Sequence, residues 1–116
     1  MTMNQGIQTI IYPVKDIAQA KALYRALLGV APYMDEPYYV GFTVGDQDVG
    51  LDPNGHKAGI TAPLGYYQVK DIQASLQALL DAGAQLQQGI KDVGGGKLTA
   101  SVKDSDNNLI GLIQVP

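Results

Sequence analysis

Hydrophobic and polar positions along the chain follow one arrangement that occurs twice. The first copy opens with GIQTIIYP, a run rich in β-branched residues that ends at Pro13 and predicts a strand. The next segment, DIAQAKALYRALLG, has apolar residues at spacings of three and four, which predicts an amphipathic helix beginning after Asp16 and ending at Gly29. The predicted apolar stripe of this helix consists of Ile17, Ala20, Leu23, Tyr24, Leu27 and Leu28.

The second copy begins 55 residues later, and its junction has the same four letters. Residues 14–17 and residues 69–72 both read VKDI. PLGYYQ precedes the second junction as a predicted strand, and DIQASLQALLDAG follows it as a helix capped by Asp71 and ended by Gly83. The predicted apolar stripe of this second helix consists of Ile72, Leu76, Leu79 and Leu80.

Further strand patterns follow each helix. YYVGFTV and KLTASVK each lead through turn residues to a last short strand, at 49–51 and 110–112, and weaker strands are predicted near 31–34 and 84–88. The unit is therefore βαβββ, present as two repeats at approximately 5–58 and 61–116. Because neither repeat has enough core to stand alone, we expect one domain of residues 1–116.

Composition and charge exclude several classes of function. The chain has no cysteine, which excludes disulfides, a thiol nucleophile and a thiolate metal site. Its eight lysines and arginines are scattered and its net charge is −3, which argues against nucleic acid as a partner. No apolar run approaches the roughly 20 residues of a membrane span, and the first six residues do not form a secretory segment. We therefore expect a cytoplasmic protein with no membrane partner.

Two motifs, one near each end of the chain, connect this pattern to a known family. The first is strand–Val-x-Asp-Ile–helix–Tyr-x3-Leu-Gly over residues 14–29, and the second is Asp-x-Asp-x-Asn-x-Ile-x-Leu over residues 104–112. With the duplicated unit, they resemble the vicinal oxygen chelate superfamily of glyoxalases, extradiol dioxygenases and bleomycin-resistance proteins. The resemblance implies an α+β fold in which two tandem βαβββ units form curled mixed sheets around a cavity.

The resemblance also implies where a metal ion would bind. Metal-dependent members carry one ligand on the first strand and one on the last strand of each unit. The corresponding positions hold Thr9 and Gly50 in the first unit and Leu64 and Gly111 in the second. Because none of these supplies a histidine nitrogen or a carboxylate oxygen, we expect no metal and no cofactor. The lone His56, in the polar join PNGHKAG, is interpreted as a solvated loop residue rather than a ligand.

Strand alternation, combined with the family's orientation, predicts the lining of the cavity. Gly50 and Gly111 are expected to widen it, and Asp48 and Asp52 either favour a cation there or lie on a turn surface. Tyr33 and Tyr38 lie near its expected mouth, and 93–96 is interpreted as a flexible hairpin lid rather than a phosphate cradle. The predicted ligand-binding residues are Thr9, Ile11, Tyr39, Asp48, Gly50, Leu64, Tyr66, Gln68, Gly111 and Ile113.

Three functions follow from this interpretation. The first is a metal-free binding protein of the bleomycin-resistance type that sequesters a small aromatic or drug-like molecule, with no catalytic residue. The alternative is a lyase, isomerase or dioxygenase-type enzyme with an atypical or absent metal site, using Tyr39, Tyr66, Asp48 or Asp52 for acid–base chemistry. The third is a structural or interaction role. In each case we expect a homodimer, because a curled sheet leaves edges open.

Overall fold

The computed structural model describes residues 4–116, which form two compact units. One unit consists of residues 9–64, and the other combines residues 4–8 with residues 65–116. Each unit contains one helix and four strands in the order β-α-β-β-β, which confirms the predicted α+β class and the duplicated unit. That the two repeats form a single domain stays a prediction.

The unit of residues 9–64 is a mixed sheet with one helix. Its strands are β1 (Asn4–Pro13, from Thr9 onward), β2 (Met34–Glu36), β3 (Tyr39–Val44) and β4 (Gln47–Asp52), and its helix is α1 (Ile17–Leu28). The strand order is β2-β3-β4-β1, with β4 parallel to β1 and the other pairs antiparallel. A short 3-10 turn at His56–Ala58 follows β4.

The second unit repeats this topology. Its strands are β5 (Leu64–Val69, from Gly65 onward), β6 (Gln85–Asp92), β7 (Leu98–Lys103) and β8 (Leu109–Gln114), and its helix is α2 (Ile72–Asp81). The order is β5-β8-β7-β6, with β5 parallel to β8. The two weak strands of the sequence pattern therefore form, as β2 and β6, although both begin later than predicted.

The repeated VKDI junction is a capped strand-to-helix connection in both units. Asp16 accepts a hydrogen bond from the backbone N–H of Gln19 at 3.0 Å, and Asp71 accepts one from that of Ala74 at 3.1 Å. Gly29 ends α1 with a left-handed φ of 72°, as predicted. Among the residues described, no helix has the length and apolar character needed to cross a membrane.

Each helix packs on one face of its own sheet. The buried centres of the two cores are Val40, Phe42, Val49 and Leu51 in one unit and Val69, Ile72, Ala100 and Leu112 in the other. The stripe predicted for α1 was partly wrong, because Leu23 and Leu27 are 65% and 72% exposed. At 3.6 residues per turn these leucines lie about 100° around the helix from Tyr24 and Leu28, which do pack on the core.

Candidate functional site

The face of the first sheet opposite α1 carries the candidate site of residues 9–64. Alternate residues on β1, β3 and β4 point away from the core, and strand pairing aligns them in rows. Asp48 pairs with Thr9 on one side and Thr43 on the other, and Gly50 pairs with Ile11 and Gly41. We call this surface the helix-free face; it consists of Thr9, Ile11, Tyr33, Tyr39, Gly41, Thr43, Asp48 and Gly50.

Tyrosine rings cover both glycines of the helix-free face. The hydroxyl of Tyr39 lies directly over Gly50, and a Cβ at that position would be 2.6 Å from Tyr39 Cζ and from Ile11 Cδ1. A Cβ on Gly41 would be 2.8 Å from Cζ and Oη of Tyr33. The prediction that Gly50 widens a cavity is therefore wrong, because the absent side chain makes room for Tyr39 and Ile11.

Asp48 lies between two hydroxyl groups on this face. Its Oδ1 accepts from Thr43 Oγ1 at 3.3 Å, and its Oδ2 accepts from Tyr33 Oη at 3.4 Å. Burial, and after it the charge and hydrogen bond of Asp48, raise the pKa of the Tyr33 phenol above its ordinary value. Tyr33 is therefore a protonated donor at neutral pH. Asp52, by contrast, accepts from the backbone N–H of Asn54 and stabilises a turn.

The second unit has a related arrangement on its own sheet. A Cβ on Gly111 would be 2.6 Å from Tyr66 Cδ2 and 2.9 Å from the carbonyl oxygen of Gly65, so Gly111 does not widen a cavity either. The buried Ser101 pairs with Gly111 across β7 and β8, and its hydroxyl donates to Gln87 Oε1. A register shift between residues 86 and 88 of β6 places Gln87 at a bulge.

The other predicted ligand residues differ in their accessibility. Gln68 donates from its side-chain amide to Gln5 Oε1 at 2.8 Å. Leu64 and Ile113 are 1% and 5% exposed, so they offer almost no surface to a ligand. Thr9 is half-buried in the same row as Asp48. The structure thus brings Thr9, Ile11, Tyr39, Asp48 and Gly50 together in one unit, and Tyr66, Gln68, Gly111 and Ile113 in the other.

A metal centre does not fit these residues. Among residues 4–116, no group of three histidine, cysteine or acidic side chains is arranged to hold a metal ion. At positions 50 and 111, where the family resemblance implies ligands, Tyr39 and Tyr66 occupy the space into which a longer side chain would extend. The residues present at these positions therefore do not fit a metal ion.

Several positions outside the predicted site differ from expectation or were missed. His56 is half-buried rather than solvated, and its Nδ1 is buried with no hydrogen-bond partner among the described residues. The segment 93–96 forms a hairpin turn, in which the Val93 N–H donates to the Lys97 carbonyl at 2.9 Å, and its role as a lid stays a prediction. Gln5 and Gln87 are absent from the predicted site residues. Their hydrogen bonds, to Gln68 and Ser101, join distant parts of the sequence, and no local sequence pattern indicates them.

Comparison with known proteins identifies the family. The model of the Glyoxalase/Bleomycin resistance protein/Dioxygenase superfamily matches residues 6–112. A superfamily member from Vibrio splendidus 12B01 is 17% identical, with a TM-score of 0.72 and 98% of each chain covered. Methylmalonyl-CoA epimerase from Mycobacterium tuberculosis is 16% identical, with a TM-score of 0.72, covering 100% of this chain and 92% of that one.

A third similar structure contains a metal. The Mn(II)-bound glyoxalase from Novosphingobium aromaticivorans is 16% identical, with a TM-score of 0.74, covering 98% of this chain and 40% of that one. No curated protein matches. At these identities the solved structures show a shared fold alone, whereas the family model covers most of the sequence. The resemblance predicted from the two motifs is confirmed, and the chain belongs to the Glyoxalase/Bleomycin resistance protein/Dioxygenase superfamily.

Proposed function

We propose that this chain binds a small aromatic or drug-like molecule on the helix-free face and performs no metal-dependent reaction. The observation that supports this most directly is the pair of tyrosines, Tyr33 and Tyr39, packed on glycine backbone beside Asp48. Apolar and aromatic surface with a few fixed polar groups is typical of sites for organic ligands. A ligand ring stacked on either tyrosine adds about 0.5–1.5 kcal/mol to the binding free energy, beyond the contribution of the apolar surface that it buries.

Catalysis is the weaker candidate. The epimerase and glyoxalase activities belong to the similar proteins. Positions 9, 50, 64 and 111 of this chain carry no histidine or carboxylate ligand, which argues against a metal-dependent reaction. Proton abstraction by Tyr33 is disfavoured because burial and Asp48 raise the pKa of its phenol, which keeps the proton on its oxygen at neutral pH. Hydrogen-bond donation to a ligand needs no such ionisation and is compatible with the geometry.

We also propose that the protein is a cytoplasmic homodimer. Within their units, β2 and β6 each pair with a neighbour on one side only, which leaves backbone groups free to pair with another chain. Sedimentation at micromolar concentration tests this part separately. A monomer at all concentrations would remove the dimer from the proposal and leave the binding site in place.

Ligand titration of the chelator-treated protein tests the binding function. We expect planar aromatic compounds to shift the backbone amide NMR signals of Gly41 and Gly50 and to raise the melting temperature, as any ligand of the folded state does. Tyr39→Ala should weaken this binding. Tyr38→Ala should not, because Tyr38 lies in the turn before β3, where it is exposed and outside the helix-free face. Stoichiometric divalent metal in the purified protein, with metal-dependent activity, would refute the proposal.

A further inference from the structure

Asp48 has no cationic partner within the part of the chain that the structure describes. The one ion pair found among residues 4–116 joins Lys21 to Asp35, at 3.0 Å. The two hydroxyl donors of Asp48, at 3.3 and 3.4 Å, are farther away than the roughly 2.5–3.0 Å of a close O–H···O hydrogen bond. A half-buried carboxylate thus has, among the described residues, only two neutral and distant hydroxyl donors.

The sequence around this carboxylate has no basic residue to neutralise it. Between Arg25 and Lys57 the chain contains no lysine and no arginine. This segment includes β2, β3 and β4, the strands that carry most of the helix-free face. Five carboxylates lie in it, and Lys21 pairs with only the first: Asp35, Glu36, Asp46, Asp48 and Asp52.

The aromatic rings lie next to the carboxylate along the same face. Gly41 and Gly50 form the row adjacent to that of Asp48, and the two glycines are covered by Tyr33 and Tyr39. The Tyr33 hydroxyl extends from this aromatic row to the Asp48 carboxylate. Aromatic faces attract cations, and a carboxylate attracts them more strongly, so both features favour the same kind of ligand.

We propose that the ligand of the helix-free face is an organic cation: an aromatic or apolar ring that packs against Tyr33 and Tyr39, bearing a positively charged nitrogen that binds Asp48. This inference rests on the proposed function and narrows it to one charge class. The cation replaces the long hydrogen bonds of Tyr33 and Thr43 with a charge-assisted contact to the carboxylate, and Asp48 becomes the residue that determines specificity.

Three compounds that share one ring system test the charge preference. Naphthylmethylamine, naphthalenemethanol and naphthoate are titrated at neutral pH and followed by the amide NMR signals of Gly41 and Gly50. We expect the amine to bind about tenfold more tightly than the alcohol, as a charge-assisted contact implies, and naphthoate to bind most weakly. Asp48→Asn has nearly the same shape and should make the amine and the alcohol bind alike.

Asp46→Asn is the matched control, because it removes the same charge from the exposed turn between β3 and β4. It should keep the preference for the amine, and unchanged melting temperatures show that both variants are folded. Equal binding of amine and alcohol to the wild type overturns the cation inference while the proposed function stands. A preference that survives Asp48→Asn also overturns it. Absence of any shift at Gly41 and Gly50 with all three compounds overturns both.

Discussion

Tyr39 and Gly50 are packed so closely that the ring of one excludes any side chain on the other. A Cβ at position 50 would lie 2.6 Å from Tyr39 Cζ, and the tyrosine hydroxyl would be closer still. Glycine in a strand interior lowers the stability of the fold, because its backbone loses more entropy on folding and it has no side chain to pack. The packing of the Tyr39 ring over Gly50 offsets this loss. The same relationship joins Tyr33 to Gly41 and, in the second unit, Tyr66 to Gly111.

Gly50→Ala should therefore lower the free energy of unfolding by about 1–3 kcal/mol, the usual cost of forcing an extra methyl group into packed surroundings. Urea denaturation measures this value. Gly89→Ala on β6 is the matched control, because a Cβ there meets nothing within 4 Å. That control should change stability by less than about 0.5 kcal/mol.

Tyr39→Ala combined with Gly50→Ala separates the ring's contribution from that of Ile11. Tyr39 and Gly50 touch, so the effects of the two substitutions should not add, and Gly50→Ala should cost at least about 0.5 kcal/mol less when Tyr39 is absent. Part of the cost remains, because Ile11 Cδ1 also lies 2.6 Å from the added Cβ. Equal costs in the two backgrounds would show that Tyr39 does not determine which residue fits at position 50.

The duplicated fold could be predicted because its signals are local. Asp16 and Asp71 each cap a helix through an amide only three residues away, and the apolar spacing of α2 is read over three turns. Alternation along β3 likewise identified Val40 and Phe42 as the face that packs under the helix.

The contents of the site depend on distant pairings and could not be predicted in the same way. In the sequence Gly50 is only an absent side chain, and nothing local indicates that Tyr39, eleven positions earlier, fills its space. Gln87 reaches Ser101 from a bulge, which alternation along a regular strand does not anticipate. The exposure of Leu23 and Leu27 depends on how wide a strip of α1 the sheet covers, which periodicity alone does not fix.

Ser75 is a buried polar residue on α2. It is 5% exposed, and its hydroxyl has no hydrogen-bond partner among the described residues. The equivalent position of α1 holds Ala20, which packs on the other core without a polar atom. Ser75→Ala should raise the free energy of unfolding by about 1 kcal/mol, since an unsatisfied buried hydroxyl costs about 1–3 kcal/mol.

The reverse substitution at the equivalent position of the first unit is the control for Ser75→Ala. Ala20→Ser introduces the same hydroxyl at the equivalent site and should lower the free energy of unfolding by a similar amount, about 1 kcal/mol. Thermal or urea unfolding of both variants gives the comparison. Loss of stability in Ser75→Ala would show that the hydroxyl is satisfied in solution, for example by the backbone carbonyl one turn earlier.

Asp104 holds the turn before β8 and should titrate at unusually low pH. Its Oδ2 accepts from Asn108 Nδ2 at 2.9 Å, and its Oδ1 accepts from the backbone amides of Asn108 and Asp106 at 2.8 Å. These bonds, that of the Asn108 side chain first, lower the pKa of Asp104 below its ordinary 3.8. The stabilisation that these bonds give the turn is fully present at pH values above the pKa of Asp104 in the unfolded chain. It is lost as pH falls through the lower pKa of Asp104 in the folded protein.

Asn108→Ala removes the largest cause of this shift. Carboxyl NMR titration should place the pKa of Asp104 closer to 3.8 in that variant than in the wild type. Ser105→Ala, at an exposed position of the same turn, should leave the pKa of Asp104 unchanged. An identical titration in Asn108→Ala and the wild type would show that the side-chain bond does not form in solution.

The pKa of the Tyr33 phenol should depend on the charge of Asp48. Burial raises the pKa of the Tyr33 phenol above 10.0, and the Asp48 charge and hydrogen bond raise it further. The unfolded phenol therefore loses its proton at lower pH than the folded one. The contribution of the protonated Tyr33 phenol to the free energy of unfolding is fully present below pH 10.0. It is lost as pH rises from 10.0 through the raised pKa of the folded protein.

Asp48→Asn should lower the pKa of Tyr33 without returning it to 10.0, because the effect of burial remains. Ring-labelled tyrosine NMR gives this value, and Tyr33→Phe identifies the signal. The variant should also lose less of its free energy of unfolding at alkaline pH than the wild type does. Asp46→Asn, which removes a nearby exposed charge without this contact, should leave both quantities close to wild type. If Tyr33 titrated at 10.0 in the wild type, its contact with Asp48 would not persist in solution, and the most direct support for the binding site would be lost.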